Sequence, residues 1–317
     1  MSSAAAPDRF DRIRARLGHD VWAAAVVDAA GTHIATNRCA SGDDFELGSI
    51  TKGLTGLLFV DAVERGDVDP EDRLGDHLPV PDASVGAITL RALSTHRSGL
   101  PGMPAGMPTG RRTASWLLRG ANPYGDTLEE LLSQLPDTKV GRQRAAYSNL
   151  GFQLLGHAIA AAAGAPYRDL LSDRLFIPLG LSSAYAPESI DELHSTAVSG
   201  RSRFGRPAAP WTGEAIAPAG GVRMSIDDAA ALAAALLKGR APGAAALDPV
   251  ADFVGPMRIG AAWITVPTKH GDVVWHNGGT GGFRTWLGLN RTRDTAAVVL
   301  RARARSVDRL GMSLVNT

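Results

Sequence analysis

One cysteine, Cys39, stands in 317 residues, so no internal disulfide can brace this chain, and the residue reads as a structural thiol. Neither sign of charge dominates. Lys+Arg total 33 against 32 for Asp+Glu, which offers no electrostatic case for nucleic acid or an anionic membrane. Long hydrophobic runs are missing too: AAALAAALL, residues 229–237, is too short to cross a bilayer. The opening MSSAAAPDRFDRIRARLGHD lacks the apolar core of a secretory signal, and the expectation is a cytoplasmic protein with no membrane partner. No serine has Gly two before and two after it, which excludes a G-x-S-x-G elbow. No lysine precedes Ser or Thr, which excludes a P-loop. No histidine pair has zinc spacing, and no metal or cofactor is expected.

Apolar residues make up 44% and charged residues 21%, the balance of a globular chain forming one large domain or two joined lobes. Residues 7–17 read as an amphipathic helix. VWAAAVVD (21–28) and THIATNR (32–38) read as a hairpin split at Ala30-Gly31. A helix opens near Ser49 and stops at Gly66; Leu54, Leu57, Leu58 and Ala62 mark its apolar spacing. Thr89 caps a helix running through Leu93 and His96. Thr127 with Glu130, and Ser225 with Asp228, read as capping boxes. SNLGFQLLGHAIAAAAG (148–164) is another helix, and Met103–Arg112 an irregular loop. RIGAAWITV, GDVVWHN, FRTWLGLN and TAAVVLRAR then read as successive strands, before a last helix over Ser306–Leu314. Strands at both ends and helices between predict an α+β fold: one antiparallel sheet built from both chain ends, flanked by helices, with an inserted helical lobe. The sheet lobe is drawn over 1–66 and 250–317, the mostly helical lobe over 67–249, and the active site at their junction.

Ser49 and Lys52 are three apart, neighbours on one helix face. The bland reading is an N-capping serine with a chance lysine. In the functional reading, Ser49 at the first turn leaves its backbone N–H free for an oxyanion. A buried Lys52 loses its charge and accepts the serine proton. The chain writes its cations mostly as Arg. Its lysines are Lys52, Lys139, Lys238 and Lys269, and only Lys52 has a serine three residues before it. Arg cannot give up its proton in a protein, so a base at this place has to be Lys.

AAYSNLGFQLLG puts Tyr147, Ser148 and Asn149 at the mouth of an apolar helix. They read either as a cap with Tyr147 as a hydrophobic staple, or as a proton carrier at Tyr147, its phenol acidified beside a cationic lysine, with Asn149 donating to a substrate carbonyl. VVWHNGGTGGFRTWLGL (273–289) ends a strand at His276 and then sets glycines at 278, 279, 281 and 282. Asn277-Gly278 alone is a hairpin turn signal. Four glycines invite a second reason, close approach of backbone or ligand. An edge strand with an open N–H at Gly279 completes a two-donor oxyanion hole with the N–H of Ser49. His276 is placed to bond Tyr147 or the substrate.

Taken in order, SITK (49–52), YSN (147–149) and HNGG (276–279) resemble the three motifs of serine β-lactamases and penicillin-binding DD-peptidases, and most closely those of class C β-lactamase-like serine hydrolases, family VIII-type esterases included. LSTHRSGLPG, FIPLGLSSA and PAGGVRMSIDDAAAL resemble further landmarks of that family, and the resemblance covers roughly residues 20–300. It implies a β-lactamase/transpeptidase-like fold with Ser49 as the acylated nucleophile and Lys52 and Tyr147 as the proton-moving pair. Asn149, His276, Gly278 and Gly279 would bind substrate. His276 stands where most β-lactamases carry a lysine that helps hold the substrate carboxylate; neutral His is a poorer anchor. The implied function is a serine hydrolase of small esters or amides, carboxylesterase- or D-amino-acid-peptidase-like, with weak action on lactams. The alternatives are an acyltransferase on the same fold, or a peptide- or β-lactam-binding protein without turnover. Oligomeric state is left open.

Overall fold

The structure is a computed structural model, in which residues 9–80, 82–103, 122–123 and 125–316 are described. In chain order its longer helices and its strands are α1 (Arg9–Leu17), β1 (Trp22–Asp28), β2 (Gly31–Asn37), β3 (Asp44–Glu46), α2 (Ile50–Arg65), α3 (Asn149–Ala162), β4 (Arg223–Ser225), α4 (Ile226–Leu237), β5 (Ala251–Asp252), β6 (Arg258–Ile259), β7 (Ile264–Val266), β8 (Val273–Gly279), β9 (Arg284–Asn290), β10 (Thr295–Arg301) and α5 (Asp308–Leu314). Eight strands form one antiparallel sheet in the order β2-β1-β10-β9-β8-β7-β6-β5. The two chain ends meet one strand in from an edge, where β1 pairs with β10 from Trp22↔Arg301 to Val27↔Ala296. The mixed α+β fold, with strands from both ends, is as the element pattern predicts.

Strand alternation explains why β1 and β10 read as unbroken apolar runs. Ala23, Ala25, Val27, Val298 and Leu300 face one hydrophobic core, while Trp22, Ala24, Val26, Ala297 and Val299 face another. The second core is closed by Ile13 and Leu17 of α1 and by Leu310 and Leu314 of α5. The first is covered by α2 and by α4, which packs on β1, β9 and β10. Helix α3 packs on α2 and on the short helical turn Ala217–Gly220. These contacts fix the N-terminal ends of α2 and α3 at one end of the sheet.

Several local expectations need correcting. RIGAAWITV is a hairpin rather than a strand. Ile259 pairs with Ile264, and Ala262 turns the chain at φ 68. The amides of Ala261 and Ala262 donate to Ala246 O and Ser94 O instead of to a sheet ladder. Thr89 caps a helix that ends at Ser94, short of His96, because His96 takes a left-handed φ of 55. Thr127 and Glu130 do form a reciprocal capping box. Ser225 caps α4, but the Asp228 carboxylate accepts from the Ser183 amide and hydroxyl, so that box is one-sided. The loop read over Met103–Arg112 lies, Met103 aside, outside the described residues.

Candidate active site

Helix α2 is buried nearly all round, which makes its polar residues informative. Thr51, Lys52 and Thr55 are fully buried and all face the backbone of residues 218–222. Thr51 Oγ1 accepts from the Val222 N–H at 3.3 Å, Thr55 Oγ1 donates to Pro218 O at 2.6 Å, and Lys52 Nζ donates to Ala219 O at 2.6 Å. The lysine's second partner is Ser49 Oγ, at 3.1 Å. Ser49 is the N-cap of α2, yet its side chain makes no cap hydrogen bond, so the bland capping reading fails at this residue. Burial holds the Lys52 amine well below its ordinary range and favours the uncharged form. That direction disfavours the cation which the acidification of Tyr147 called for.

Gly48 and Gly278 let this corner close. Gly48 has φ +54, and a Cβ on it would fall 2.6 Å from the Gly279 nitrogen; a Cβ on Gly278 would fall 1.9 Å from Leu47 O. β8 is not an edge strand as expected. It lies between β7 and β9, but β7 pairs only with Val273–Trp275 and stops short of residues 276–279. The Thr280 N–H donates to Phe283 O, so in an alternating ladder the Gly279 N–H points away from β9, toward Gly48 and Ser49. The opening comes from a short neighbour rather than from the sheet's rim. The turn falls at residues 280–283, and Asn277-Gly278 is strand.

At the head of α3, Ser148 is the cap, accepting from the Gly151 N–H at 2.9 Å. Tyr147 is 41% exposed and lies over the buried amine, with Lys52 Nζ 5.0 Å from the ring centroid. Tyr147, Asn149, Ser49, Gly278 and Gly279 all line one cleft of about 430 Å³, and Lys52 is beneath its floor. His276 is 1% exposed. Its Nδ1–H donates to Asn277 O at 2.7 Å rather than to Tyr147, whose ring centroid is 6.4 Å away. Nε2 therefore carries a lone pair, and it has no hydrogen-bond partner among the described residues. Burial above all pushes His276 down to about 4, so it is neutral at pH 7.

Some of this site was not foreseen in the sequence. His96 is a second buried imidazole, packed at a tilt against Tyr147, centroids 4.4 Å apart, and against Phe152 at 4.7 Å. Its Nδ1 accepts from the Ser148 N–H at 3.2 Å, and its carbonyl accepts from Ala146 N–H at 2.8 Å, so it fixes the backbone on both sides of Tyr147. Burial above all keeps it well below its ordinary value. The unusual φ gave no sequence signal. Trp211, Thr280, Arg284, Ser306 and Asp308 also line the cleft. Trp211 N–H donates to the buried Glu46, which with Asp44 is paired to Arg223 across β3 and β4. Among the described residues no group of three or more His, Cys, Asp or Glu could hold a metal ion, and no helix is long and apolar enough to cross a membrane.

A serine hydroxyl, a buried amine in contact with it, a phenol above that amine and two main-chain amides at a glycine corner form an arrangement able to transfer acyl groups. The profile of the Beta-lactamase family matches residues 13–312, and the chain belongs to that family of hydrolases. It is 31% identical over 159 residues to the D-alanyl-D-alanine-carboxypeptidase/endopeptidase AmpH of Escherichia coli (strain K12), a match covering 49% of this chain and 40% of that one. It is 32% identical over 189 residues to penicillin-binding protein 4 of Amycolatopsis lactamdurans, covering 55% and 46%. The matched region spans less than half the length of each of these relatives. In fold it resembles the beta-lactamase/D-alanine carboxypeptidase from Pseudomonas syringae, with a TM-score of 0.80 at 18% identity over 96% of this chain and 95% of that one. It also resembles the class C beta lactamase from Rhodobacter sphaeroides, with a TM-score of 0.78 at 20% identity over 96% of each chain.

Proposed function

We propose that this protein is a serine hydrolase that cleaves a small ester or amide through an acyl–Ser49 intermediate. The observation that carries the reading is the contact between the fully buried Lys52 amine and the Ser49 hydroxyl at 3.1 Å. Ser49 Oγ attacks the substrate carbonyl while its proton passes to the Lys52–Tyr147 pair. The carbonyl oxygen takes up charge facing the N–H groups of Ser49 and Gly279. The pair then returns the proton to the leaving alcohol or amine, and water attacks the ester by the same route reversed. Asn149 donates to the substrate's carbonyl. His276, neutral and acceptor-only at Nε2, supplies no cation from β8, where most β-lactamases carry the lysine that helps hold a lactam carboxylate, so that particular grip is missing and β-lactams are the less favoured substrates of this reading. The name of the Escherichia coli relative supports D-alanyl amides as the first amides to try.

The test is intact mass of the protein after brief exposure to a small ester, a β-lactam and a D-alanyl amide. The reading expects a transient acyl adduct with at least the ester or the amide, absent from Ser49→Ala. Turnover by Ser49→Ala at the wild-type rate would overturn it.

A further inference from the structure

The cleft contains a cation that the acylation chemistry does not use. Arg284, first residue of β9, lines the cleft beside Asn277, Gly279, Ser306 and Asp308. Its Nη1 donates to Thr280 O and Phe283 O, both at 2.7 Å, which holds the guanidinium over the tip of the β8–β9 turn. The guanidinium lies flat against Gly279: a Cβ on that glycine would fall 3.1 Å from Arg284 Cζ and 3.2 Å from Nε. Nε and Nη2 make no hydrogen bond to any described residue, and no carboxylate reaches ion-pair distance. Asp308 is the nearest acid in the cleft, and its oxygens are occupied elsewhere, Oδ1 by Asn277 Nδ2 at 3.1 Å and Oδ2 by the Ser306 hydroxyl at 2.9 Å. Burial weakens the hold of Arg284 on its proton, partly offset by Asp308, the direction expected of a partly buried guanidinium with no ion-pair partner.

A fixed guanidinium with two donors directed away from its own tethers fits a carboxylate, which takes both at once. It lies against Gly279, its cross-strand partner, whose amide faces the reacting carbonyl. His276 offers no positive charge to compete for that role.

We propose that Arg284 is a specificity-determining residue that binds a carboxylate borne by the substrate close to its scissile carbonyl. The anion is thus read from β9, not from the His276 position on β8. This inference rests on the acyl–Ser49 reading and narrows its substrate class from small esters and amides to anionic ones.

Two probe pairs test it. N-acetyl-D-alanyl thioglycolate carries its carboxylate on the leaving group, and mono-p-nitrophenyl glutarate carries it on the acyl group; each is compared with its methyl ester. A charge-assisted bidentate contact predicts that wild type prefers at least one free acid over its methyl ester by about 10-fold to 100-fold in kcat/KM. Arg284→Gln should erase that preference, mainly through KM, while turning over the methyl esters within about threefold of wild type. Arg284→Lys should keep part of it. Equal loss on acids and methyl esters in Arg284→Gln would overturn the proposal, assigning Arg284 to the oxyanion corner or the fold. So would wild type showing no acid preference while it hydrolyses the methyl esters, an outcome that leaves the acyl-serine reading standing and needs no variant. No turnover of any probe, together with no acyl adduct on Ser49, would instead remove the acyl-serine reading and this inference with it.

Discussion

Replacing Lys52 by Arg keeps a long cationic side chain and removes only the capacity to become neutral. The wild-type amine is wholly buried, 2.6 Å from Ala219 O and 3.1 Å from Ser49 Oγ, with burial pushing it toward the uncharged state. If that uncharged amine is what takes the serine proton, its loss removes a general base worth about 10²- to 10⁴-fold, or about 3–5 kcal/mol of barrier. The larger guanidinium also overfills the site beneath Tyr147, at roughly 1–3 kcal/mol of stability. Acylation should be followed as the rate of p-nitrophenol release from p-nitrophenyl acetate, with thermal melting run in parallel to establish that the variant is folded. Lys52→Met serves as the partner variant, since it keeps the apolar stem without any proton carrier. Both should fall by at least about 100-fold. A folded Lys52→Arg that retained more than about a tenth of the wild-type rate, with Lys52→Met inactive, would show that charge rather than a neutral amine activates Ser49.

Three further outcomes follow from the geometry. His276 at about 4, against an ordinary value near 6.5, binds fewer protons folded than unfolded, so stability is complete above pH 6.5 and declines toward pH 4, by roughly 3 kcal/mol from this residue alone. His96 and His157, also lowered by burial, add in the same direction, and melting temperature against pH should show a steep acid limb that His276→Gln makes shallower. Gly48→Ala adds a Cβ 2.6 Å from the Gly279 nitrogen at a left-handed φ, and by spreading the two amides it should lower kcat by about 10²- to 10³-fold with Ser49 intact; an unchanged kcat in the folded variant would count against the paired-amide site. His96→Phe keeps the ring packing against Tyr147 but strands the Ser148 N–H, and chemical denaturation should show a loss of about 1–3 kcal/mol.

The parts of this molecule legible in its sequence are those set by short-range rules. β-prone runs with short connections marked the strands, Thr127 with Glu130 marked a helix start, and Gly66 marked a helix end. The three motifs pointed to residues from α2, α3 and β8 that the fold gathers at one cleft. What could not be read depends on partners distant in the chain. The RIGAAWITV run breaks because its amides find Ala246 and Ser94, which no local pattern announces. His96 reads as the tail of a helix until its φ and its contact with Ser148 are known. Arg284 reads as one more strand residue, since nothing in FRTWLGLN shows that its guanidinium lies against Gly279.

The most direct test of the central claim is to label the protein with a fluorophosphonate probe and locate the adduct by peptide mass mapping. The account predicts one phosphonylated residue, Ser49, with labelling abolished in Ser49→Ala and in Lys52→Ala. Labelling of another serine, or undiminished labelling of Ser49 in Lys52→Ala, would contradict it.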